Sequence, residues 1–176
     1  TVCKHGNRKA SSTSGAFDLL DELGLEVELT PAELEAQVAE QGLGFAFART
    51  FHPAMRFAGP VRAGLGIPTV FNVLGPLSHP GRVRRQVIGT TESAVAERLV
   101  EVFRANDSLH TWVVNGHLDV DEIAVTGPTQ VLELKHGRIS EWTLNPEDFG
   151  IALADPDSLL GGGPKENAAI ARAIFA

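Results

Sequence analysis

The chain of 176 residues holds one cysteine, one methionine, two tryptophans and no tyrosine. A single cysteine, Cys3, excludes an internal disulfide framework and any cysteine metal cluster. No apolar run is long enough to span a bilayer, and no charged-then-apolar signal segment is visible. A cytoplasmic setting without membrane attachment is therefore expected. Positive charge is also scarce: 15 lysines and arginines against 22 acidic residues leave a net charge of −7. That balance argues against nonspecific nucleic-acid binding. An anionic ligand would need a local cation cluster, and two exist, at Lys4, Arg8 and Lys9 and at Arg82, Arg84 and Arg85. With 43% hydrophobic and 21% charged residues, the chain has enough material for one domain with a sizeable core.

The stretch Lys4–Gly15 is the most informative. It gathers cations, a histidine, an amide, four hydroxyls and two glycines, with almost no apolar side chain. Such a segment is not a core strand or helix. Glycine lets a backbone come close to a ligand. Cations and hydroxyls beside free backbone N–H groups suit a phosphate, above all where a helix starts. A helical pattern begins at Ser14, which is a good N-cap, and continues through Ala16, Phe17, Leu19, Leu20 and Leu23 to Gly24. Two readings stand side by side: a phosphate-binding loop feeding a helix N-terminus, or a solvated polar loop with a capped helix behind it. Val2-Cys3 reads as the tail of a strand. Without an initiator methionine, the sequence reads as a fragment of a longer chain.

Thr30-Pro31-Ala32-Glu33 is a capping box opening a helix that runs to about Gln41, closed by Gly42. Gly44–Ala48 reads as a strand, ended by the polar turn Arg49–Pro53. The next helix carries Met55, Phe57, Ala58, Val61 and Leu65 and ends at Gly66, with Arg62 read by itself as a surface residue. His52 has the position of a plain cap. Gly75-Pro76 predicts a break, so Ile67–Leu77 reads as an interrupted apolar turn holding one amide, Asn72. Gln86–Gly89, a helix over Glu92–Ala105 with Val95, Leu99, Val102 and Phe103 inward, and a strand over Leu109–Val114 predict a parallel crossover. Asp119, Asp121 and Glu122 follow that strand. Carboxylates at such an edge can hold Mg²⁺, although acidic loops are commonly only solvated. Lys135-His136-Gly137-Arg138 predicts a hairpin turn. A last helix opens at Pro164, with Ala168, Ile170, Ala173 and Ile174 as its apolar side.

Several of these stretches together resemble anthranilate phosphoribosyltransferase. They are Lys4-His5-Gly6-Asn7-Arg8 with Ser11-Ser12 and Ser14-Gly15, His52-Pro53-Ala54-Met55, Asn72–Leu77, Arg85–Gly89, Asp121-Glu122 and Glu166-Asn167-Ala168. Their order and gaps agree, and the resemblance covers essentially the whole chain. It implies an α/β fold, with a mostly parallel central sheet flanked by helices and a β-hairpin insertion, as in nucleoside phosphorylases and phosphoribosyltransferases. It implies transfer of the phosphoribosyl group of phosphoribosyl pyrophosphate to anthranilate, with Mg²⁺, in tryptophan biosynthesis.

Residue by residue, the resemblance gives Lys4, Ser11, Ser12 and Gly15 to phosphoribosyl pyrophosphate. His5 and Asn7 would line the path of the aromatic acid, Arg62 would pair with its carboxylate, and Gly75 and Pro76 would wall its pocket. Asp121 and Glu122 would ligate Mg²⁺. As neighbours in a straight strand these two would point to opposite faces, so they need a bend. The family's N-terminal helical domain, its glycine-rich phosphate loop and its later C-terminal helices have no counterpart. The sequence is thus expected to be one domain, the middle of the α/β part, inactive alone, from a homodimeric parent. Asp119 stands where the family has glycine, and Asn115 where it has histidine. A pyrimidine nucleoside phosphorylase, or a noncatalytic binding domain, is the alternative reading.

Overall fold

The computed structural model describes residues 1–8, 14–67 and 69–176. They form two compact units, Thr1–Gly75 with Gly161–Ala176, and Pro76–Leu160.

In the first unit β1 (Val2–Gly6) pairs in parallel with β2 (Leu43–Phe47). The polar stretch therefore starts inside a strand: Lys4, His5 and Gly6 pair with Phe45, Ala46 and Phe47. Backbone pairing carries them, because a strand needs only one face buried. A parallel pair cannot be closed by a tight turn, and α1 (Ala16–Glu22) and α2 (Pro31–Gln41) make the crossing. Gly15, rather than the expected Ser14, is the N-cap of α1, and its N–H donates to the Asp18 carboxylate at 2.8 Å. The Thr30–Glu33 capping box and the left-handed Gly42 bound α2 as expected. Phe17 of α1 is fully buried, stacked on Phe47 at 5.3 Å and edge-on to Phe45 at 6.4 Å. On the other face, α2 comes so close that a Cβ on Gly44 would lie 2.4 Å from Val38.

The residues after β2 form one helical turn, α3 (Ala48–Phe51), rather than a turn alone, and α4 (Met55–Leu65) follows. The apolar residues of α4 divide: Met55 and Ala58 are half-buried, whereas Phe57 is 70% exposed and Val61 and Leu65 are exposed too. Gly75 and Pro76 do not break the chain but lie inside α5 (Phe71–Leu77). Pro76 lies in the last turn of α5, where it forfeits one backbone bond to the preceding turn, and the helix ends one residue later at Leu77. Asn72 caps the start, its Oδ1 accepting from the Thr69 N–H at 2.9 Å. α7 (Pro164–Phe175) packs on α1, and Arg172 donates to the Glu22 carbonyl at 2.8 Å. Of its expected apolar residues Ala168 is buried, whereas Ile170 and Ile174 are exposed.

In the second unit β3 (Arg85–Gly89) and β4 (His110–Asn115) are parallel, joined by α6 (Ser93–Ala105). The hairpin of β5 (Thr129–Lys135) and β6 (Arg138–Leu144) continues the sheet antiparallel to β4, in the order β3-β4-β5-β6. His136 and Gly137 both have positive φ, 50° and 76°, the geometry of a tight hairpin turn. The core combines Ala96, Leu99, Val100 and Phe103 of α6 with Val113 and Leu134. Val102, expected inside, is exposed because the buried stripe follows i, i+3, i+4, i+7 from Ala96.

Truncating Phe17 to alanine should cost about 3–5 kcal/mol of stability, whereas Phe57→Ala should cost under about 0.5 kcal/mol. Urea unfolding of the two variants checks this, and equal losses would contradict the assignment of core and surface.

Candidate functional site

His5 and Gly6 end β1, so Asn7 and Arg8 leave from the carboxyl edge of the parallel pair, where α/β proteins place ligands. Strand alternation splits the motif. Lys4 shares the face of Phe45, Phe47 and α1, whereas His5 shares the face of Ala46. Gly6 is required here: a Cβ would lie 2.9 Å from the Phe17 ring. Asn7 Oδ1 accepts from the Arg8 N–H at 2.9 Å, and the Asn7 carbonyl accepts from the Phe17 N–H at 3.4 Å. Asn7 is thereby fastened to the start of α1.

Arg8 is committed to the fold. Its guanidinium donates to Asp21 and Glu28, both at 2.7 Å, and lies 4.7 Å above the Phe47 ring. The Asp21 carboxylate first, then Glu28, pushes its pKa above the ordinary arginine value. Of the first cation cluster, Lys4 remains exposed. Lys9, Ser11 and Ser12 lie outside the described residues. Gly15 stands at the head of α1, but its N–H is already bonded to Asp18.

His52, at the end of α3, read in the sequence as a cap and as part of the His52-Pro53-Ala54-Met55 stretch, with no sign of its partner. Its Nε2 lies 3.1 Å from Nε2 of His5, with the rings 5.0 Å apart and 67° to one another. Arg62 sits half-buried on α4 with its guanidinium 5.4 Å above the Phe71 ring. Gly75 is exposed on α5. Pro76, Leu77, His79, Arg82, Arg84 and Phe103 line a groove of about 310 Å³ in the second unit. Pro76 alone of the candidate residues borders that groove. Arg84 there donates to the Asp107 carbonyl at 2.8 and 3.1 Å.

Asp121 and Glu122 lie in the bend their adjacency demands, after a bridge between Gly116 and Val120. Leu118 and Asp119 precede it with positive φ, 64° and 57°. Asp119 thus holds a glycine-like conformation that aspartate tolerates. A Cβ on Gly89, the last residue of β3, would lie 1.6 Å from the Asp121 carbonyl oxygen. Gly116 is similarly tight, with a Cβ 2.4 Å from the Glu122 carbonyl oxygen. Asn115 donates to the Thr90 carbonyl at 2.9 Å, joining the ends of β4 and β3. Sequence reading missed this role of Gly89, because the partner is 32 residues away (121 − 89).

The donor set bears on Mg²⁺ directly. Among the described residues no group of three His, Cys, Asp or Glu side chains forms a cage. Two exposed carboxylates on one bend, without a described ion pair, still suit a hard cation that takes its remaining oxygens from water and substrate phosphates. The residues fit Mg²⁺ held in that shared way.

With this geometry established, comparison with known proteins defines the class. The model of the glycosyl transferase family, a/b domain, matches residues 1–176, and the chain belongs to that family. Within it, the chain is similar to anthranilate phosphoribosyltransferases: 47% identical over 174 residues to that of Azorhizobium caulinodans and 46% over 176 residues to that of Chloroflexus aurantiacus. These alignments cover 99% of the chain and 51% and 52% of the relatives. The crystal structure of the Thermus thermophilus anthranilate phosphoribosyltransferase superposes with a TM-score of 0.90 at 41% identity, covering 99% of this chain and 51% of that one. The Saccharomyces cerevisiae enzyme in complex with PRPP and Mg gives 0.88 at 33% identity, covering 97% and 47%. The chain therefore spans about half the length of the relatives it matches. Their likeness supports the expected α/β fold, with one parallel and one mixed sheet.

Gly89→Ala should destabilise the second unit by about 1–3 kcal/mol, because the Asp121 backbone must move aside. A urea midpoint unchanged from wild type would show that the close approach is not required.

Proposed function

We propose that the protein carrying this chain transfers the phosphoribosyl group of phosphoribosyl pyrophosphate to anthranilate, giving N-(5-phosphoribosyl)anthranilate and pyrophosphate in tryptophan biosynthesis. The observation that carries this reading is the match to anthranilate phosphoribosyltransferases along nearly the entire chain, with Lys4–Arg8 at the carboxyl end of a parallel strand. In the reaction the amine nitrogen forms a bond to the anomeric carbon, the bond from that carbon to pyrophosphate breaks, and the nitrogen gives up a proton. An aniline nitrogen is already nucleophilic, so positioning and charge stabilisation do most of the work.

On this reading Lys4, Gly15, Ser11 and Ser12 hold phosphoribosyl pyrophosphate. Lys4, on the face of β1 that it shares with Phe45 and Phe47, supplies an exposed cation. His5 and Asn7 line the path of anthranilate, and Gly75 and Pro76 wall its pocket. Arg62 takes the carboxylate: no described hydrogen bond or ion pair engages its guanidinium, and stacking on Phe71 holds its plane. A guanidinium fork binds a carboxylate through two parallel bonds. Asp121 and Glu122 hold Mg²⁺, which when bound supplies positive charge to the departing pyrophosphate. The substrates are small anions, and the net charge of −7 disfavours nucleic acid as a partner. No described helix is long and apolar enough to cross a membrane. A cytoplasmic homodimer is the form the resemblance supports for the whole protein.

Turnover of anthranilate, followed by loss of its fluorescence in the full-length protein with Mg²⁺, tests the reading. No turnover by a folded protein would overturn it. Arg62→Ala should raise KM for anthranilate by about 10- to 100-fold, the loss of a charge-assisted pair, and leave that for phosphoribosyl pyrophosphate within about twofold. Equal effects on both substrates would remove Arg62 from the carboxylate. Replacing Asp121 and Glu122 together by alanine should abolish Mg²⁺-dependent turnover; an unchanged metal dependence would place the ion elsewhere.

A further inference from the structure

The contact between His5 and His52 has a chemical content that packing alone does not. Nε2 of each ring faces Nε2 of the other at 3.1 Å, and the pair is part-buried. A nitrogen-to-nitrogen bond of that length holds a single proton. Two N–H groups would meet head-on, and two lone pairs would repel. One ring therefore donates from Nε2 and the other accepts there, and in the neutral pair the acceptor carries its own proton on Nδ1. Each ring thus dictates the tautomer of the other.

The backbone holds His52 in place for this. Its N–H donates to the Ala48 carbonyl at 2.9 Å, its own carbonyl accepts from the Met55 N–H at 3.0 Å, and Pro53 follows. His5 is fixed independently by strand pairing opposite Ala46. Two rings from separately anchored backbones meet at their nitrogen edges, 67° to one another, rather than stacked face to face.

We propose that His52 is a positioning residue: through its Nε2 it fixes the orientation and tautomer of the His5 ring that the amine of anthranilate would meet. This rests on the transferase reading given above, in which His5 lines the path of the aromatic acid.

The test uses the full-length protein with ¹⁵N-labelled histidine. Nitrogen shifts of the imidazoles report tautomers directly, and the His5 signals are assigned by their loss in His5→Gln. His52→Phe, which keeps ring bulk but removes the nitrogen, should change the His5 tautomer pattern. It should lower kcat/KM for anthranilate by about 10- to 100-fold, as misplacement of a substrate-orienting group does, with KM for phosphoribosyl pyrophosphate within about twofold. His52→Gln, whose amide can donate or accept near the same place, should recover most of that loss. His5 signals indifferent to His52→Phe, or a Gln variant no better than Phe, would overturn the proposal. The imidazole spectrum needs no turnover, so a wild-type protein that fails to convert anthranilate refutes the transferase reading by itself.

Discussion

Parallel strand pairing is the constraint on which the arrangement depends. Neighbouring parallel strands cannot be joined by a short turn, so the chain must leave each strand at the same end and return by way of helices. In the first unit this sets Asn7 and Arg8 after β1, and α3 with His52 after β2, at one edge of one ribbon. In the second unit it sets Thr90 after β3 and the acidic bend after β4 in the same way. Chemistry-bearing residues collect at these ends because polar backbone leaves the sheet there, and because side chains within the strands are claimed by packing.

Packing also decides which cations remain for a ligand. Arg8 looks in the sequence like one member of a basic loop. In the fold it is held by Asp21, Glu28 and the Phe47 ring. The same division occurs in the second basic cluster, where Arg84 bonds the Asp107 carbonyl. In a chain with a net charge of −7, any anionic ligand would depend on a few well-placed donors rather than on a general positive field.

Local signals were legible and non-local ones were not. The Thr30–Glu33 box, Gly42, the His136-Gly137 turn and the parallel crossover around α6 are each written within a few residues or in a regular period, and each formed as read. The expected break at Gly75-Pro76 falls one residue late: α5 runs through both residues and stops at Leu77, so the proline costs one backbone bond and the helix does not continue past it. The outward faces of α4 and α7 show another limit: periodicity says which side chains share a face, not whether another element covers it. Chemistry singled out Lys4–Arg8 and Asp121-Glu122 as polar and charged stretches, and the resemblance supplied the roles expected of them. His52 could not be joined to His5 across 47 residues, nor Gly89 to Asp121, since such contacts are fixed by tertiary approach and leave no local pattern.

The hairpin has a consequence for the order in which the chain becomes structured. β5 and β6 close over two residues, His136 and Gly137, whereas β1 and β2 meet only after α1 and α2 have been threaded between them. The entropy lost in closing a loop grows with its length, and hairpins form within about 1–10 μs. Contact order therefore favours β5 and β6 as an early template onto which β4 can zip. The pairing that aligns His5 with the α3 end of β2 is among the later gains. The carboxyl edge that carries Asn7 and His52 is thus assembled from contacts far more distant in sequence than those of the hairpin.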